Sequence, residues 1–383
     1  MEAIDHGPKL GRIGAAAALA LLLAAAFSPF AELRPNRIVR GESVGVMSSP
    51  AALAGLAAAA AAVALSSAAS RRTTGGFLPL LPRILTRSSA LALLAAPSLT
   101  ARSLGMARAS PGPGFWLAAG GLAIAWRSGA ARRPLALALD LVAAASVVAM
   151  ASAGGLDAFS PYAEFLAQGP RFWAELARHL ALSLGAFLTA AAFAVPAAAL
   201  AARGGPAGSL VTALAGAAQN VPSLALFGLL LPALAALADA LPGLRAIGVS
   251  GIGPAPALVA LTLYALLPMA LSGAAGLRMV DPGVRDAAKG MGLSRRQVFR
   301  RVEFPLALPS FLSGARTALV QTIGTATVAA LIGAGGMGYF VFQGLGQAAM
   351  DMVIVGVVPV VVMSALADRL MGAFQTRAEG YIR

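Results

Sequence analysis

The chain offers few side chains for covalent or metal chemistry. It has no cysteine, which excludes disulfides, thiolate nucleophiles and zinc–thiolate sites. His6 and His179 are too far apart in sequence to indicate a shared metal site, and both are interpreted as structural. Neither lysine, Lys9 or Lys289, follows a glycine-rich turn, so the phosphate-loop pattern G-x-x-x-x-G-K-[ST] is absent. We therefore expect no catalytic residue, no metal site and no cofactor in this chain.

One stretch, residues 333–338, formally satisfies the dinucleotide fingerprint G-x-G-x-x-G. No strand pattern precedes it, and it lies at the end of an apolar run. Close packing at the end of a helix is the favoured interpretation.

The most informative spacing lies between residues 281 and 305. Asp281 suits the N-cap of a helix, and Pro282 suits its first turn. Gly292 suits the left-handed residue that ends a short helix. The sequence therefore predicts a short helix closed by a glycine turn.

A second helix is predicted directly after this turn. Ser294 and Gln297 form the capping-box pattern, and Pro305 and Pro309 are expected to end the helix before the next apolar run. A helix, a turn and a helix with strong positive charge make a shape suited to docking on a partner. The basic residues concerned are Arg278, Arg285, Lys289, Arg295, Arg296, Arg300 and Arg301.

The first of these helices would present a small surface to its partner. Ala287 and Ala288 leave one side without bulk, and Asp286 offers a hydrogen-bond acceptor. A DNA-binding helix-turn-helix is disfavoured, because apolar runs abut the segment on both sides and leave no soluble domain to enter a groove. A basic connector with ordinary caps is the remaining alternative.

The segment resembles the cytoplasmic coupling motif of ABC importer permeases: a Glu-Ala-Ala triplet, a glycine four residues on, then Ile-x-Leu-Pro. The triplet corresponds to residues 286–288 and the closing tetrad to residues 302–305, with Asp, Val and Phe in place of Glu, Ile and Leu. The residues that the resemblance assigns to ATPase coupling are Asp286, Ala287, Ala288, Gly292, Val302, Phe304 and Pro305.

Two further segments, residues 219–230 and 330–338, are similar to permeases of the glycine betaine, choline and carnitine branch of this family. Methionine-type permeases are similar to the second segment as well. The resemblance covers residues 178–375. The preceding spans match a minority subgroup of longer permeases less specifically.

The resemblance implies a transport subunit, not an enzyme, that works by alternating access in the bacterial cytoplasmic membrane. Its implied partners are ABC ATPase subunits that hold ATP and Mg, an extracytoplasmic substrate-binding protein, and a second permease, the same or related. The implied cargo is a compatible solute such as glycine betaine or choline. The alternatives are another small solute such as methionine, or a secondary transporter driven by an ion gradient.

Polar residues inside apolar spans line a cavity or bond to a neighbouring helix. We expect some of Gln219, Asn220, Gln321, Thr322 and Thr325 to line a translocation path, with interhelical hydrogen bonding an equal alternative.

Asp140 is the one acid well inside an amino-terminal span, about two turns from Arg132 and Arg133. No second acid or histidine accompanies it in those spans. Ion pairing or snorkelling is therefore favoured over a proton relay.

An apolar scaffold must position these residues. Of the 383 residues, 58% are hydrophobic and only 11% are charged, so the long apolar runs need a bilayer to bury them. The net charge of +14 lies in short clusters between those runs. This pattern indicates membrane topology and no nucleic-acid partner.

The apolar runs predict an all-α polytopic membrane protein with ten spans. The run near 84–100 is the weakest, because Arg83 and Arg87 interrupt its start, and a re-entrant segment is the alternative there. The spans are placed near residues 13–30, 51–69, 84–100, 113–127, 135–155, 179–202, 208–235, 254–277, 309–333 and 350–373.

Basic residues at span ends predict that both termini and the loop 278–306 are cytoplasmic, although Arg34, Arg37 and Arg40 run against this orientation. The predicted parts are an amino-terminal membrane region 1–155, an external connector 156–177, a five-span permease unit 178–375 and a cytoplasmic tail 376–383.

Overall fold

The computed structural model describes residues 7–36, 39, 41–69, 81–127, 133–246 and 248–380. The chain forms two compact units, Met1–Ala167 and Gln168–Arg383. Both are mainly helical, as the composition predicts.

Six helices of the first unit are described: α1 Gly7–Ala26, α2 Pro50–Ala69, α3 Leu81–Ser103, α4 Pro113–Arg127, α5 Arg133–Ser152 and α6 Ser160–Gln168. Alanines and glycines set how closely they pack. Ala18 and Ala118 are fully buried, and a Cβ on Gly121 would lie 3.0 Å from the carbonyl oxygen of Ala18. Small residues at helix contacts are typical of membrane bundles, where backbones approach closely.

A small antiparallel sheet joins these helices, which the all-helical prediction did not include. Its strands are β1 Pro29–Arg34, β2 Glu42–Gly45 and β3 Arg108–Pro111, in the order β2-β1-β3. Phe30 and Leu33 of the central strand are almost fully buried. Strands this short carry too few residues to show a period of two in the sequence.

Helix α3 is continuous, so the run near 84–100 is a helix of spanning length and not a re-entrant segment. Arg87, the residue that weakened the prediction, is buried and pairs with Asp140 of α5, with Nε 3.0 Å from Oδ1. The expected pairing of Asp140 is confirmed. Its partner comes from another helix, and the carboxylate and Arg87 neutralise each other within the bundle.

The helices of the second unit are α7 Pro170–Arg203, α8 Gly205–Asn220, α9 Ser223–Ala240, α10 Pro242–Ala246, α11 Pro254–Met279, α12 Pro282–Gly290, α13 Arg295–Val298, α14 Phe304–Thr325, α15 Gly338–Gly346 and α16 Met350–Gly380. Helix α11 packs between α7 and α14. A Cβ on Gly314 of α14 would lie only 2.4 Å from the carbonyl oxygen of Pro268, so glycine is required for this approach.

Among the described residues, five helices are long and apolar enough to cross a membrane: α3, α7, α9, α11 and α16. Shorter apolar helices lie at Ile13–Phe27, Pro50–Ser66, Pro113–Ile124 and Ala138–Ser152. With α14 at the predicted ninth span, these helices account for the ten predicted runs. Many large apolar side chains on them are exposed, Leu188 at 64% and Phe193 at 59% among them, as expected for surfaces that face lipid.

Several predicted spans have different ends in the structure: the first ends at Ala26, before β1, and the sixth begins at Pro170. Two others are also interrupted. The run 208–235 is divided between α8 and α9, because Pro222 favours an extended conformation at Val221, whose φ and ψ are −78° and 123°. The run 309–333 ends as an α-helix at Thr325 and continues as a 3-10 turn, Val328–Ile332, closed by Gly333 at φ +80°.

Candidate functional site

Helix α12 is a short, separately capped helix that follows α11. The Asp281 carboxylate accepts the N–H of Gly283 at 2.6 Å, and Pro282 occupies the first turn. Gly292 has φ +81°, the left-handed conformation that closes the helix. The predicted cap and glycine turn are confirmed.

The second helix begins as predicted but does not end where expected. Ser294 and Gln297 form the reciprocal capping box, with the Ser294 N–H donating to Gln297 Oε1 at 2.8 Å. Helix α13 then continues through a π-turn, Phe299–Glu303, directly into α14, so the expected stop at the two prolines is wrong. Pro305 has no N–H to donate, and it directly follows the π-turn, whose wider spacing lets the helix pass this position without a break.

Arg285 connects α12 to both neighbouring helices. Its Nε lies 2.9 Å from Glu303 Oε1 in the π-turn, and its Nη2 donates to the carbonyl of Leu277 near the end of α11. Sequence reasoning counted Arg285 only as one basic residue among several, because nothing in the spacing indicates its partners. A displacement of α12 therefore acts directly on α11 and α14.

The outer surface of α12 is formed by exposed Asp286 and Ala287, followed by exposed Gly292. Ala288 is buried against the unit itself, so only one of the two alanines is open to a partner. Asp286 also pairs with Lys289 at 2.9 Å on the open surface.

Val302, Phe304 and Pro305, the other residues of the coupling motif, are half-buried at the start of α14. The Phe304 ring lies 6.1 Å from that of Phe299 and 6.3 Å from that of Phe311. This chain of aromatic contacts fixes the π-turn to the membrane helix.

The polar residues predicted to line a path are in different environments. Gln321 is exposed on α14, and Thr325 is half-buried. Thr322 is fully buried, and its hydroxyl donates to the carbonyl of Ala318 at 2.7 Å, so it bonds within the helix and does not reach the open face. Gln219 and Asn220 end α8, and their side chains lie outside the part of the chain that the structure describes.

The open face of α14 carries a polar stripe of which the sequence analysis found only Gln321. Ser313, Thr317 and Gln321, all exposed, recur at every fourth position and line a cavity of about 540 Å³. On the same cavity Arg316 makes a bidentate ion pair with Asp368 of α16, with both N–O distances 2.6 Å. The spacing of four residues between these polar side chains was the sequence signal that could have revealed the stripe.

A polar latch fixes the glycine-rich segment 333–338. Glu175 Oε2 accepts the N–H of Gly336 at 2.7 Å, and His179 Nδ1 accepts that of Met337 at 3.3 Å. Nε2 of the same ring lies 3.0 Å from the carbonyl oxygen of Ile323. A carbonyl only accepts, so Nε2 carries the proton, and the structural interpretation of His179 holds.

The nucleotide-binding alternative for this segment fails on geometry. A 3-10 turn precedes the glycines, not a strand, and Gly335 and Gly336 have φ of +75° and +89° against the latch residues. Among the described residues, no group of three or more histidines or acids is placed to hold a metal ion.

Each of the two units matches a model of a known protein family. A family model described as binding-protein-dependent transport system inner membrane component matches residues 194–380, and one described as ABC transporter permease YehY, N-terminal domain, matches residues 10–161. The carnitine transport permease protein OpuCB of Listeria monocytogenes is 32% identical over 213 residues, which are 56% of this chain and 90% of that protein.

Other relatives are similar over the same region. The osmoprotectant import permease protein OsmW of Salmonella typhimurium is 37% identical, with 43% of this chain and 74% of that protein covered. The choline transport system permease protein OpuBB of Bacillus subtilis is 30% identical, with 52% and 84% covered. Among solved structures, an inward-facing MetNI methionine ABC transporter matches with a TM-score of 0.44 and 23% identity, over 52% of this chain and 93% of that one.

Proposed function

Because this chain belongs to the binding-protein-dependent transport system inner membrane components, we propose that it is the permease for a quaternary-ammonium compatible solute such as glycine betaine, choline or carnitine. It is a multi-pass transport subunit of the cytoplasmic membrane and not an enzyme. Its relatives, which are named as permeases for carnitine, choline and osmoprotectants, support this substrate class.

The geometry of α12 is the observation that carries the proposal. A short helix with an exposed acid and an exposed alanine ends at a left-handed glycine and is joined to two membrane helices by Arg285. Such a helix fits a cleft on an ATPase subunit. Closure of that cleft would displace α12 and, through Arg285, the ends of α11 and α14.

In this proposal ATP and Mg belong to two partner ATPase subunits, since the chain has no phosphate loop. Substrate selection belongs mainly to an extracytoplasmic binding protein. Two tyrosines of the permease unit are already engaged: Tyr264 is buried and donates to the carbonyl of Val221, and Arg171 lies 3.7 Å above the Tyr339 ring. Neither is free to form an aromatic cage around a quaternary amine.

The polar stripe of α14 is proposed as one wall of the translocation path. Exposed hydroxyl and amide groups in a membrane span are costly against lipid, so Ser313, Thr317 and Gln321 face water or a second permease. A pair of permeases with these stripes opposed would enclose a polar path. Alternating access then follows when α14 moves with the π-turn below it.

The test is assembly and transport of the chain co-expressed with an ATPase subunit and a binding protein. The variant Gly292→Asp with Ala287→Asp places two carboxylates on the docking surface and should abolish co-purification of the ATPase. Gly105→Asp is the matched control, because Gly105 is also exposed with positive φ, at +69°, and has open space around it.

Uptake of labelled glycine betaine that depends on ATP inside proteoliposomes is the expected result. Uptake that persists without ATP and follows an imposed ion gradient would contradict the proposal and favour a secondary transporter. ATP-dependent uptake of methionine, with none of the quaternary amines, would retain the importer and reject the substrate class.

A further inference from the structure

Two adjoining cavities lie where α7 ends and α13 passes into α14. Their volumes are about 520 Å³ and about 880 Å³, and they share Arg203, Arg295 and Phe299 in their walls. Volumes of this size suit a ligand with a headgroup and part of a chain. All the lining residues belong to the second unit.

The larger cavity is strongly cationic. Arg203, Arg295, Arg296 and Arg300 line it, and no acid does. All four side chains are exposed, and none has an ion pair within the described part of the chain. In the smaller cavity the nearest acid, Glu303, is already paired with Arg285. The four guanidinium groups therefore converge on a space without a counter-charge.

The rest of the lining of the larger cavity is apolar. It consists of Val195, Phe299 and Phe304. Val195 lies eight residues before Arg203 on α7, which at 1.5 Å per residue is about 12 Å further along the helix. With the predicted topology, in which Arg203 lies at the cytoplasmic end of its span, the cationic part of the cavity would lie at the membrane surface and Val195 at the depth of the hydrocarbon.

We propose that this site binds an anionic phospholipid of the inner leaflet. Its phosphodiester would accept hydrogen bonds from the arginines, since planar guanidinium groups suit phosphate oxygens, and an acyl chain would lie along Val195 and Phe304. Basic pockets between membrane helices on the cytoplasmic side are suited to anionic headgroups.

Other occupants fit less well. A free phosphate ion would use the arginines but leave the apolar wall uncovered. A cytoplasmic ATPase subunit could meet Arg296 and Arg300 but could not extend about 12 Å into the membrane along α7. The bound lipid would instead contact α7, α13 and the π-turn together, beside the helix that couples to the ATPase.

The test measures lipid retention by the purified full chain in delipidating detergent, by native mass spectrometry. The probes are phosphatidylglycerol, phosphatidylcholine, glycerol 3-phosphate and inorganic phosphate. The variant Arg296→Gln with Arg300→Gln removes two cavity cations. Arg369→Gln with Arg377→Gln, two exposed arginines of α16 outside both cavities, is matched for net charge.

The expected result is retention of phosphatidylglycerol over phosphatidylcholine, with a half-saturating concentration at least about tenfold higher in the cavity variant than in the control. The thermal unfolding temperature without lipid is measured for each variant. If the double variant does not fold, Arg300→Gln alone carries the test, with a rise of about threefold.

Three results would overturn the proposal. Equal retention by the cavity variant and the control would place the lipid elsewhere. Inorganic phosphate or glycerol 3-phosphate binding as tightly as phosphatidylglycerol would indicate a free-anion site. No selective retention by wild type, with loss of ATPase assembly in the cavity variant, would assign the arginines to a protein interface.

Discussion

The Nε2 atom of His179 donates to the carbonyl oxygen of Ile323, 144 residues further along the chain, at 3.0 Å. Because Ile323 lies in the last turn of α14, its carbonyl has no N–H partner within the helix and needs a hydrogen-bond donor from elsewhere. The second ring nitrogen holds Met337. One buried imidazole therefore joins α7, the end of α14 and the glycine-rich segment.

Replacing His179 should destabilise the permease unit. His179→Leu removes both hydrogen bonds and leaves the Ile323 carbonyl and the Met337 N–H buried, at a cost of about 2–4 kcal/mol in the free energy of unfolding. Denaturant unfolding of the purified protein measures it. Ser183→Ala is the control, since that hydroxyl bonds only to its own helix and should cost under about 1 kcal/mol. Equal effects would contradict the latch.

Two glycines of the latch segment should respond differently to alanine. Gly333 and Gly336 both have positive φ, so each substitution strains the backbone by about 1–2 kcal/mol. A Cβ on Gly336 would also lie 3.1 Å from His179 Nδ1, whereas a Cβ on Gly333 meets open space. We expect Gly336→Ala to lower the thermal unfolding temperature more than Gly333→Ala. Equal effects would show that backbone strain alone matters, and the reverse order would show that the contact with His179 does not destabilise the protein.

The Arg285–Glu303 pair should control coupling between ATP hydrolysis and transport. Arg285→Glu places two acids together and should reduce uptake at least about tenfold while ATPase subunits still bind, because the docking surface is unchanged. Adding Glu303→Arg should restore part of the uptake. Uptake per ATP hydrolysed in proteoliposomes is the measurement. Unchanged coupling in the Arg285→Glu variant would remove Arg285 from the proposed linkage.

Substitutions in the exposed polar stripe and at the buried Thr322 beside it should have different effects on uptake and stability. Thr317→Val on the exposed face should reduce uptake with little change in stability, since the side chain lies on the proposed path and its hydroxyl, which donates to the carbonyl of Ser313 at 3.2 Å, is exposed. Thr322→Val should do the opposite and cost about 1 kcal/mol of stability, since its hydroxyl is buried and bonded within the helix. Initial uptake rate and unfolding temperature are compared for the two variants. An uptake defect confined to Thr322→Val would place the path elsewhere.

Two ion pairs of the first unit should contribute unequally. Asp140→Asn leaves the buried Arg87 without its counter-charge and should cost about 2 kcal/mol. Asp157→Asn breaks the exposed pair with Arg102, whose N–O distance is 3.1 Å, and should change stability by less than about 1 kcal/mol. Thermal unfolding of each variant measures the difference. Similar effects would indicate that Arg87 is solvated in the folded protein.

The features that the sequence predicted correctly are those that depend on residues close together in the chain. The cap at Asp281, the left-handed Gly292 and the box from Ser294 to Gln297 depend on residues within a few positions of each other, so spacing alone indicates them. The partner of Arg285 and the partner of Asp140 depend on how distant helices pack. No pattern within one helix carries that information.

The same reasoning explains why the path residues were only partly found. Polarity within an apolar run picked out Gln321 and Thr322 equally, although the first is exposed and the second, about 100° further round α14, is buried. Only helical spacing separates the exposed face of Ser313, Thr317 and Gln321 from the buried one. The prediction that the prolines end the helix was wrong because it considered Pro305 alone. The π-turn before Pro305 allows the helix to continue.

Because of that turn, the segment from Arg295 to Thr325 is one continuous helical segment, about 45 Å long. Such a segment transmits a rotation from one end to the other, whereas a flexible loop does not. The number of residues between the basic surface at one end and Gln321 at the other sets the angle between them. Deleting one residue from the α-helical part between Pro305 and Ser313 would rotate the upper part by about 100° relative to the lower and turn the polar stripe away from its present face.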